Sequence, residues 1–295
     1  MPVYWVILSF TVFLSVAIII VTNGHNWAFL QSYKNQSLGL FSWLYLCLTN
    51  LFIIGQDVSL FMGLNNLTGN LYFTSFYNHS NPPVYFFMLV LQAWTISIEI
   101  MFYLIAPFIV RKKITFIALF FFITAVLKYV LYSRGLNYDP WSYRFFPAEM
   151  FFFLLGVLSY KLYLATKNFS LPKWFLVCSF AVTLSAVILF EMLQLQFHKY
   201  IYFVCFALAI PLIFQLTKDI KWDRLIGEYS YPMYISHVFF KSLYFILFAA
   251  SDNVSLPVLG ASVLFTFLYN QFLYKKLENF RQRRVVTADL NNNKI

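Results

Sequence analysis

One carboxylate lies within an apolar segment and has polar neighbours at helical spacing. Glu99 belongs to the run from Leu91 to Pro107, which is otherwise mostly hydrophobic. A charged residue at the centre of a bilayer costs about 2.5–3.5 kcal/mol on insertion scales, so it needs a compensating role. In a helix, one stripe of this run holds Gln92, Thr95, Glu99 and Tyr103. We expect the stripe to face a cavity or the bundle interior, as a catalytic surface or as a hydrogen-bonded network that only fixes packing.

A histidine occupies a similar stripe late in the chain. In a helix, the segment from Gly227 to His237 and beyond aligns four polar residues on one face: Ser230, Tyr234, His237 and Lys241. A lone intramembrane histidine is usually a packing residue. On a polar stripe, however, imidazole suits proton transfer because its pKa lies nearest physiological pH. The role of Lys241 is left open, since its ammonium can pair with a carboxylate.

The two stripes are predicted to reach similar depths. Glu99 precedes Pro107, the cytoplasmic end of its span, by ~12 Å along a helix. His237 follows Ser230, the cytoplasmic start of its own span, by ~10 Å. We therefore hypothesise that Glu99 and His237 line one cavity that opens to the cytoplasm.

The composition requires a membrane environment for these residues. The chain has 295 residues, of which 61% are hydrophobic, 22% aromatic and only 11% charged. An average soluble domain carries about 25% charged residues. Apolar stretches of about 20 residues, the length needed to cross a bilayer, recur throughout. This excludes a soluble enzyme, a disordered chain, a coiled coil and a secreted disulfide scaffold, and it predicts an all-α polytopic transmembrane bundle.

Basic residues predict the orientation. Hydropathy places spans near 3–22, 84–108, 114–132, 145–163, 173–191, 199–217, 230–250 and 256–274. Fifteen basic residues fall on one side of these spans and four on the other (Lys34, Arg134, Arg144 and Lys199). Cytoplasmic loops carry the excess of Lys and Arg. We therefore expect both termini in the cytoplasm, and we assign the net charge of +10 to topology rather than to nucleic-acid binding.

A further apolar stretch, 40–62, decides the number of spans. It contains Asn50, Gln56 and Asp57, which suit a lipid-exposed helix poorly. Polar or irregular backbone at membrane depth is tolerated where protein buries it. We expect eight full spans plus one re-entrant or interfacial segment. The membrane domain is predicted to cover 1–275, followed by a basic cytoplasmic tail over 276–295.

Two other charged residues and three cysteines receive structural interpretations. Lys128 and Glu191 lie near predicted span ends, where long side chains extend to the interface. Cys47, Cys178 and Cys205 lie inside apolar runs without a CxxC spacing. We therefore expect no disulfide and no metal site.

The motifs resemble a known family of membrane acyltransferases. The segment Trp94-Thr-Ile-Ser-Ile-Glu-Ile-Met-Phe-Tyr-Leu-Ile-Ala-Pro107 is similar to the "WSLxxExxFYLxxP" element of the acyltransferase type 3 family, which includes surface-polysaccharide and O-antigen O-acetylases. The segment Gly227-Glu-Tyr-Ser-Tyr-Pro-Met-Tyr-Ile-Ser-His237 is similar to its "GxxSYxxYLxH" element. Residues 143–156 resemble its "YRxxP…G" segment, and residues 50–61 also match its pattern.

The resemblance implies transfer of an acyl group, usually acetyl, from acyl-CoA to a hydroxyl of a surface glycan or lipid-linked sugar. Acyl-CoA would be a co-substrate rather than a bound cofactor. On this basis we assign Glu99 and His237 catalytic roles. Substrate contacts are assigned to Trp94, Ser97, Tyr103, Arg144 and Tyr231. The implied location is the inner membrane of a bacterium.

The resemblance departs from the family at the start of the chain. Family members begin with two more spans, a histidine thought to be catalytic and an Arg-x-x-Arg pair before "P-x-YW". Here Pro2-Val-Tyr-Trp5 follows Met1 directly. We therefore expect an N-terminally truncated member.

Two alternatives remain at this point. A transporter or flippase for a lipid-linked sugar or small anion would use a midplane site between repeats. The sequence shows no such repeat. A non-catalytic remnant of the acyltransferase family would share every motif given above.

Overall fold

The computed structural model describes residues 2–169, 171–189, 198–248, 254–280 and 282, with the side chains of 198–201 excepted. These residues form eleven α-helices. In chain order they are α1 Pro2–Val21, α2 Gln31–Asn35, α3 Leu40–Phe52, α4 Gln56–Ser59, α5 Ala93–Ile109, α6 Ile114–Ser133, α7 Phe146–Thr166, α8 Lys173–Ile188, α9 His198–Thr217, α10 Lys221–Phe248 and α11 Ser255–Tyr269. Helix α11 continues as a π-helix over Asn270–Tyr274. Glu191 and most of the 276–295 tail lie outside the described residues.

The helices confirm an integral membrane protein of helical class. Four are long and apolar enough to cross a bilayer, namely α1, α6, α7 and the Ser255–Phe280 helix that includes α11. Helices of about 20 residues are ~30 Å long, the thickness of the hydrocarbon core. Four shorter apolar helices accompany them: Leu40–Phe52, Ala93–Ile109, Lys173–Ile188 and Tyr202–Thr217. The eight-span topology stays a prediction.

The 40–62 stretch does not form one continuous helix. Helix α3 has 13 residues, or ~20 Å, and ends at Phe52. Ile53 and Gly55 then adopt positive φ angles of 71° and 89°, which turn the chain into the short helix α4. The side-chain amide of buried Asn50 donates to the Phe87 carbonyl at 2.8 Å and accepts from the Leu89 N–H at 2.9 Å. Asn50 therefore ties α3 to the chain leading into α5.

A small antiparallel hairpin follows α4. Its strands are β1 Met62–Leu64 and β2 Leu71–Phe73, with Met62 paired to Phe73. Gly69 is required in the connection because an added Cβ would lie 2.4 Å from the Ser37 carbonyl oxygen. The hairpin packs on the α6–α7 loop, because the rings of Phe61, just before β1, and of Phe73, in β2, lie 5.0 and 6.4 Å from the ring of Trp141.

Helix α5 occupies the centre of the bundle because it has two apolar faces. Ala93 and Ile96 pack with residues of α1 and α10 in one core. Phe102 and Ile109 pack with residues of α6 and α7 in a second core. Helix α9 packs on α7 and on α8. The polar stripe predicted on α5 is therefore held between two groups of helices.

Candidate active site

Ser97 of α5 is fully buried and binds the turn before α4. Its hydroxyl donates to the Asp57 carboxylate at 2.6 Å and accepts from the Gly55 N–H at 2.9 Å. Asp57 is itself only 6% exposed. The structure therefore gives Ser97 a clear positioning role, holding the 53–57 turn against α5. A contact between Ser97 and substrate stays a prediction.

Glu99 lies two residues further along α5 and is only partly buried. Within the part of the chain that the structure describes, its carboxylate forms no hydrogen bond. It lies close enough to the Tyr231 hydroxyl for the two groups to interact electrostatically. The hydroxyls of Tyr103 and Tyr269 also interact electrostatically with Tyr231. The structure therefore brings together three of the residues predicted for the site, Glu99, Tyr103 and Tyr231.

Tyr231 lines a groove of about 670 Å³ between the first turns of α10 and the end of α11. We call this the α10–α11 groove. Its wall includes Pro2, Arg224, Gly227, Glu228, Tyr231, Pro232, Tyr269, Tyr274, Leu277 and Glu278. Tyr103 is 64% exposed, whereas Gln92 at the other end of the same stripe is 6% exposed. The α5 stripe thus runs from the buried interior to the outside of the bundle.

His237 lies on another face of α10. Ile235 and Phe239 of this helix pack into the core with α1 and α5. Because successive residues are 100° apart, His237 points about 160° away from both of these neighbours. His237 is not part of the groove wall, so a single cavity shared with Glu99 stays a prediction. Its Nδ1 lies 2.7 Å from the Tyr234 carbonyl oxygen, within hydrogen-bonding distance of its own helix.

Trp94 and Arg144 meet at the opposite end of α5. The Arg144 guanidinium lies 4.3 Å from the Trp94 ring centre and forms a bidentate pair with Asp139, with distances of 2.6 and 2.9 Å. The hydroxyls of Tyr77 and Tyr143 also donate to Asp139, at 2.7 and 2.8 Å. Burial and the bond to Asp139 raise the pKa of Tyr77 to about 12, so its hydroxyl stays protonated at neutral pH. Arg144 is therefore a fixed, neutralised group beside Trp94.

A buried ion pair lies between α6 and α7. Lys128 Nζ is 2.7 Å from Glu149 Oε1, with side chains 7% and 13% exposed. The prediction that Lys128 extends to the interface is wrong, because its ammonium also donates to the Ser142 carbonyl at 3.3 Å and lies 4.5 Å from the centre of the Phe152 ring. The sequence signal was available: opposite charges occur in two successive apolar spans.

This ion pair lines a cavity of about 950 Å³, which we call the α6–α9 cavity. Helices α6 and α9 both pack on α7, and the cavity lies between them. Its wall also includes Trp94, Trp141 and Tyr143 at one end and Gly156 and Ile210 at the other. Sequence reasoning placed Trp94 in the site but did not predict the cavity.

Buried polar atoms without partners mark a further feature near the groove. Asn270, 4% exposed, has neither amide atom hydrogen-bonded within the described residues, and the same holds for the hydroxyl of Thr266, 1% exposed. Asn270 opens the π-helix, a distortion frequently found at functional sites. No cluster of three or more His, Cys, Asp or Glu side chains is placed to hold a metal ion within the described ranges.

Comparison with known proteins identifies the family. A family model described as an acyltransferase domain, of the acyltransferase type 3 family, matches residues 58–270. The match spans both sequence motifs, the one in α5 with Glu99 and the one in α10 that ends at His237. Neither the curated proteins nor the solved structures compared with the chain include a match. Because the matched region covers well over half of its 295 residues, the chain belongs to the acyltransferase type 3 family.

Proposed function

We propose that the protein is a membrane-bound O-acyltransferase that moves an acetyl group from acetyl-CoA to a hydroxyl of a surface glycan or lipid-linked sugar. The observation that supports this most directly is Glu99. Its carboxylate is partly buried on the otherwise mostly apolar helix α5 and lies near the hydroxyl of Tyr231. Such a group is retained where it acts on a substrate.

In this reaction the acceptor oxygen attacks the thioester carbonyl carbon, the new C–O bond forms and the C–S bond breaks. The hydroxyl proton has to leave the acceptor, and the thiolate has to gain one. In this proposal Glu99 orients or activates the base, and His237 carries the proton. The Tyr231 hydroxyl, near Glu99, donates a hydrogen bond to the developing oxyanion.

The location follows from the basic residues rather than from the fold. We propose the bacterial inner membrane, with both termini and the α10–α11 groove on the cytoplasmic side, where acyl-CoA is available. The basic residues Arg111 to Lys113 and Lys218 to Arg224 lie on that side and can pair with CoA phosphates. The α6–α9 cavity, built from the opposite ends of the helices, then opens to the outside, and Trp94 in its wall lies only five residues, ~7.5 Å along α5, from Glu99.

The test is acyl transfer by Glu99→Gln in membranes supplied with radiolabelled acetyl-CoA. We expect loss of label in surface glycan with unchanged protein level, because glutamine keeps the shape but not the charge. Asp219→Asn, which changes an exposed carboxylate, is the matched control and should behave as the wild type. Equal labelling by Glu99→Gln and wild type would remove Glu99 from the site. A wild type that transfers no label would instead favour the non-catalytic remnant or the transporter.

A further inference from the structure

The α6–α9 cavity changes in polarity along its length. Glu149 and Gly156 lie on the same face of α7, seven residues and ~10 Å apart. Around Glu149 the wall holds Lys128, Ser142 and Asn137, together with the indole of Trp141. Around Gly156 it is apolar, with Leu155 and with Phe206, Ala207 and Ile210 of α9. One end is therefore polar and aromatic, and the other end is hydrocarbon-like.

The polar end is electrically neutral and still has hydrogen-bonding capacity. The Lys128 ammonium is compensated by Glu149, and the nearby Arg144 guanidinium by Asp139. Glu149 Oε2 forms no hydrogen bond to any residue that the structure describes. This oxygen and the Asn137 amide are available to uncharged hydroxyl groups. A free phosphate would find no unpaired cation among these four charged residues.

The size and the openings of the cavity suit a lipid-like molecule. Its volume of about 950 Å³ is at the upper end of the usual range for small-molecule sites, ~300–1,000 Å³. The rings of Tyr132, Phe203 and Phe206 on its rim are 36–38% exposed. They belong to the same outer surface as the apolar faces of α6 and α9, so a ligand can enter from the bilayer.

We propose that the α6–α9 cavity binds the acceptor as an amphiphile, a neutral sugar carrying a hydrocarbon chain. The sugar hydroxyls bind Glu149 Oε2 and Asn137, and the ring stacks on Trp94 or Trp141. The chain lies along α9 towards Gly156 and the bilayer. This deepens the proposed function, since it selects a lipid-linked sugar over a soluble glycan and names the residues that hold it.

Three glycines provide a matched set of variants. Gly156 lines the α6–α9 cavity, Gly227 lines the α10–α11 groove, and Gly260 is an exposed residue of α11. A Cβ added at any of them meets nothing within 4 Å. The first carbon of a leucine side chain therefore has room at each position, and leucine is a better helix former than glycine.

In the experiment, the full chain in nanodiscs is photolabelled with an octyl glucoside that carries a diazirine in its alkyl chain. No acyl donor is present. In the wild type we expect labelled peptides from α6, α7 and α9. Gly156→Leu should carry at least tenfold less label, whereas Gly260→Leu and Gly227→Leu should be labelled as strongly as the wild type. Unlabelled octyl glucoside should compete, whereas glucose or octanol alone should compete at least tenfold less well.

Wild-type labelling in a folded Gly156→Leu protein would overturn the proposal. If octanol competed as well as octyl glucoside, the cavity would accept any lipid chain. If octyl phosphate competed better than octyl glucoside, the cavity would bind a charged headgroup. Either result also overturns the proposal. Because no acyl transfer is measured, the outcome is independent of the Glu99→Gln test. Loss of transfer in Glu99→Gln with normal labelling in Gly156→Leu would leave the proposed function standing and remove only this inference.

Discussion

Breaking the Lys128–Glu149 pair from one side should destabilise the protein strongly. In Glu149→Leu, the Lys128 ammonium stays in a site that is 7% exposed and loses a partner at 2.7 Å. Removing one member of a buried pair costs about 3–5 kcal/mol, against about 0–1 kcal/mol for an exposed pair. The Ser142 carbonyl and the Phe152 ring remain as weaker partners, so we expect the lower end, about 3 kcal/mol.

Removing both charges should be nearly harmless. The double variant Lys128→Met with Glu149→Leu replaces the pair by apolar side chains of similar volume, which is often neutral or stabilising. We expect its free energy of unfolding to lie within about 1 kcal/mol of the wild type. The coupling energy between the two sites is then several kcal/mol. The exposed pair Arg224–Glu228, at 3.1 Å, provides the control: Arg224→Met should cost less than about 1 kcal/mol.

The measurement is unfolding by SDS in mixed micelles, followed by tryptophan fluorescence, for the wild type, both single variants, the double variant and the control. Two results would refute the reasoning. One is a cost below about 1 kcal/mol for Glu149→Leu alone, which would class the pair as solvent-exposed. The other is a double variant whose free energy of unfolding falls by the sum of the decreases in the two single variants. Such additivity would mean that the two side chains do not interact.

Three further variants test other contacts. Ser97→Ala should cost about 1–3 kcal/mol in the same unfolding assay, because it removes a donor to the buried Asp57 carboxylate and the acceptor of the Gly55 N–H. Ser159→Ala removes a buried hydroxyl without a partner in the described region and should cost nothing, and equal losses in the two variants would contradict this. Asn270→Leu should stabilise the ligand-free protein by about 1–2 kcal/mol, and a loss of similar size would show that the amide is satisfied. Arg144→Lys should lower the Tm by several degrees because lysine cannot form the bidentate contact to Asp139. An unchanged Tm would show that this bidentate contact does not contribute to stability.

The sequence was sufficient to predict the class of fold and the chemistry available to it. Low charge and recurring apolar runs require a helical membrane protein because the backbone must be satisfied within each segment. Helical spacing showed that Glu99 and Tyr103 share a face, and the structure brings both close to Tyr231. Two motifs in the right order pointed to the family that the comparison confirms.

Other features depended on how the helices pack. The partner of Ser97 is Asp57, 40 residues earlier, because the turn after α3 brings that carboxylate against α5. Lys128 meets Glu149 only because antiparallel α6 and α7 are in the register that aligns them.

The α10–α11 groove and the α6–α9 cavity were also decided by tertiary structure. Periodicity gives the face of a residue on its own helix, but not which helix lies opposite that face. His237 therefore shares a sequence pattern with Glu99 yet points away from the core that joins α10 to α5. The α6–α9 cavity exists because α6 and α9 pack on α7 with space between them, an arrangement that depends on side-chain volumes from distant parts of the chain. The sequence by itself thus determined the membrane class, the family motifs and the faces of individual helices. Contacts between helices decided which of those faces meet and where a ligand can enter.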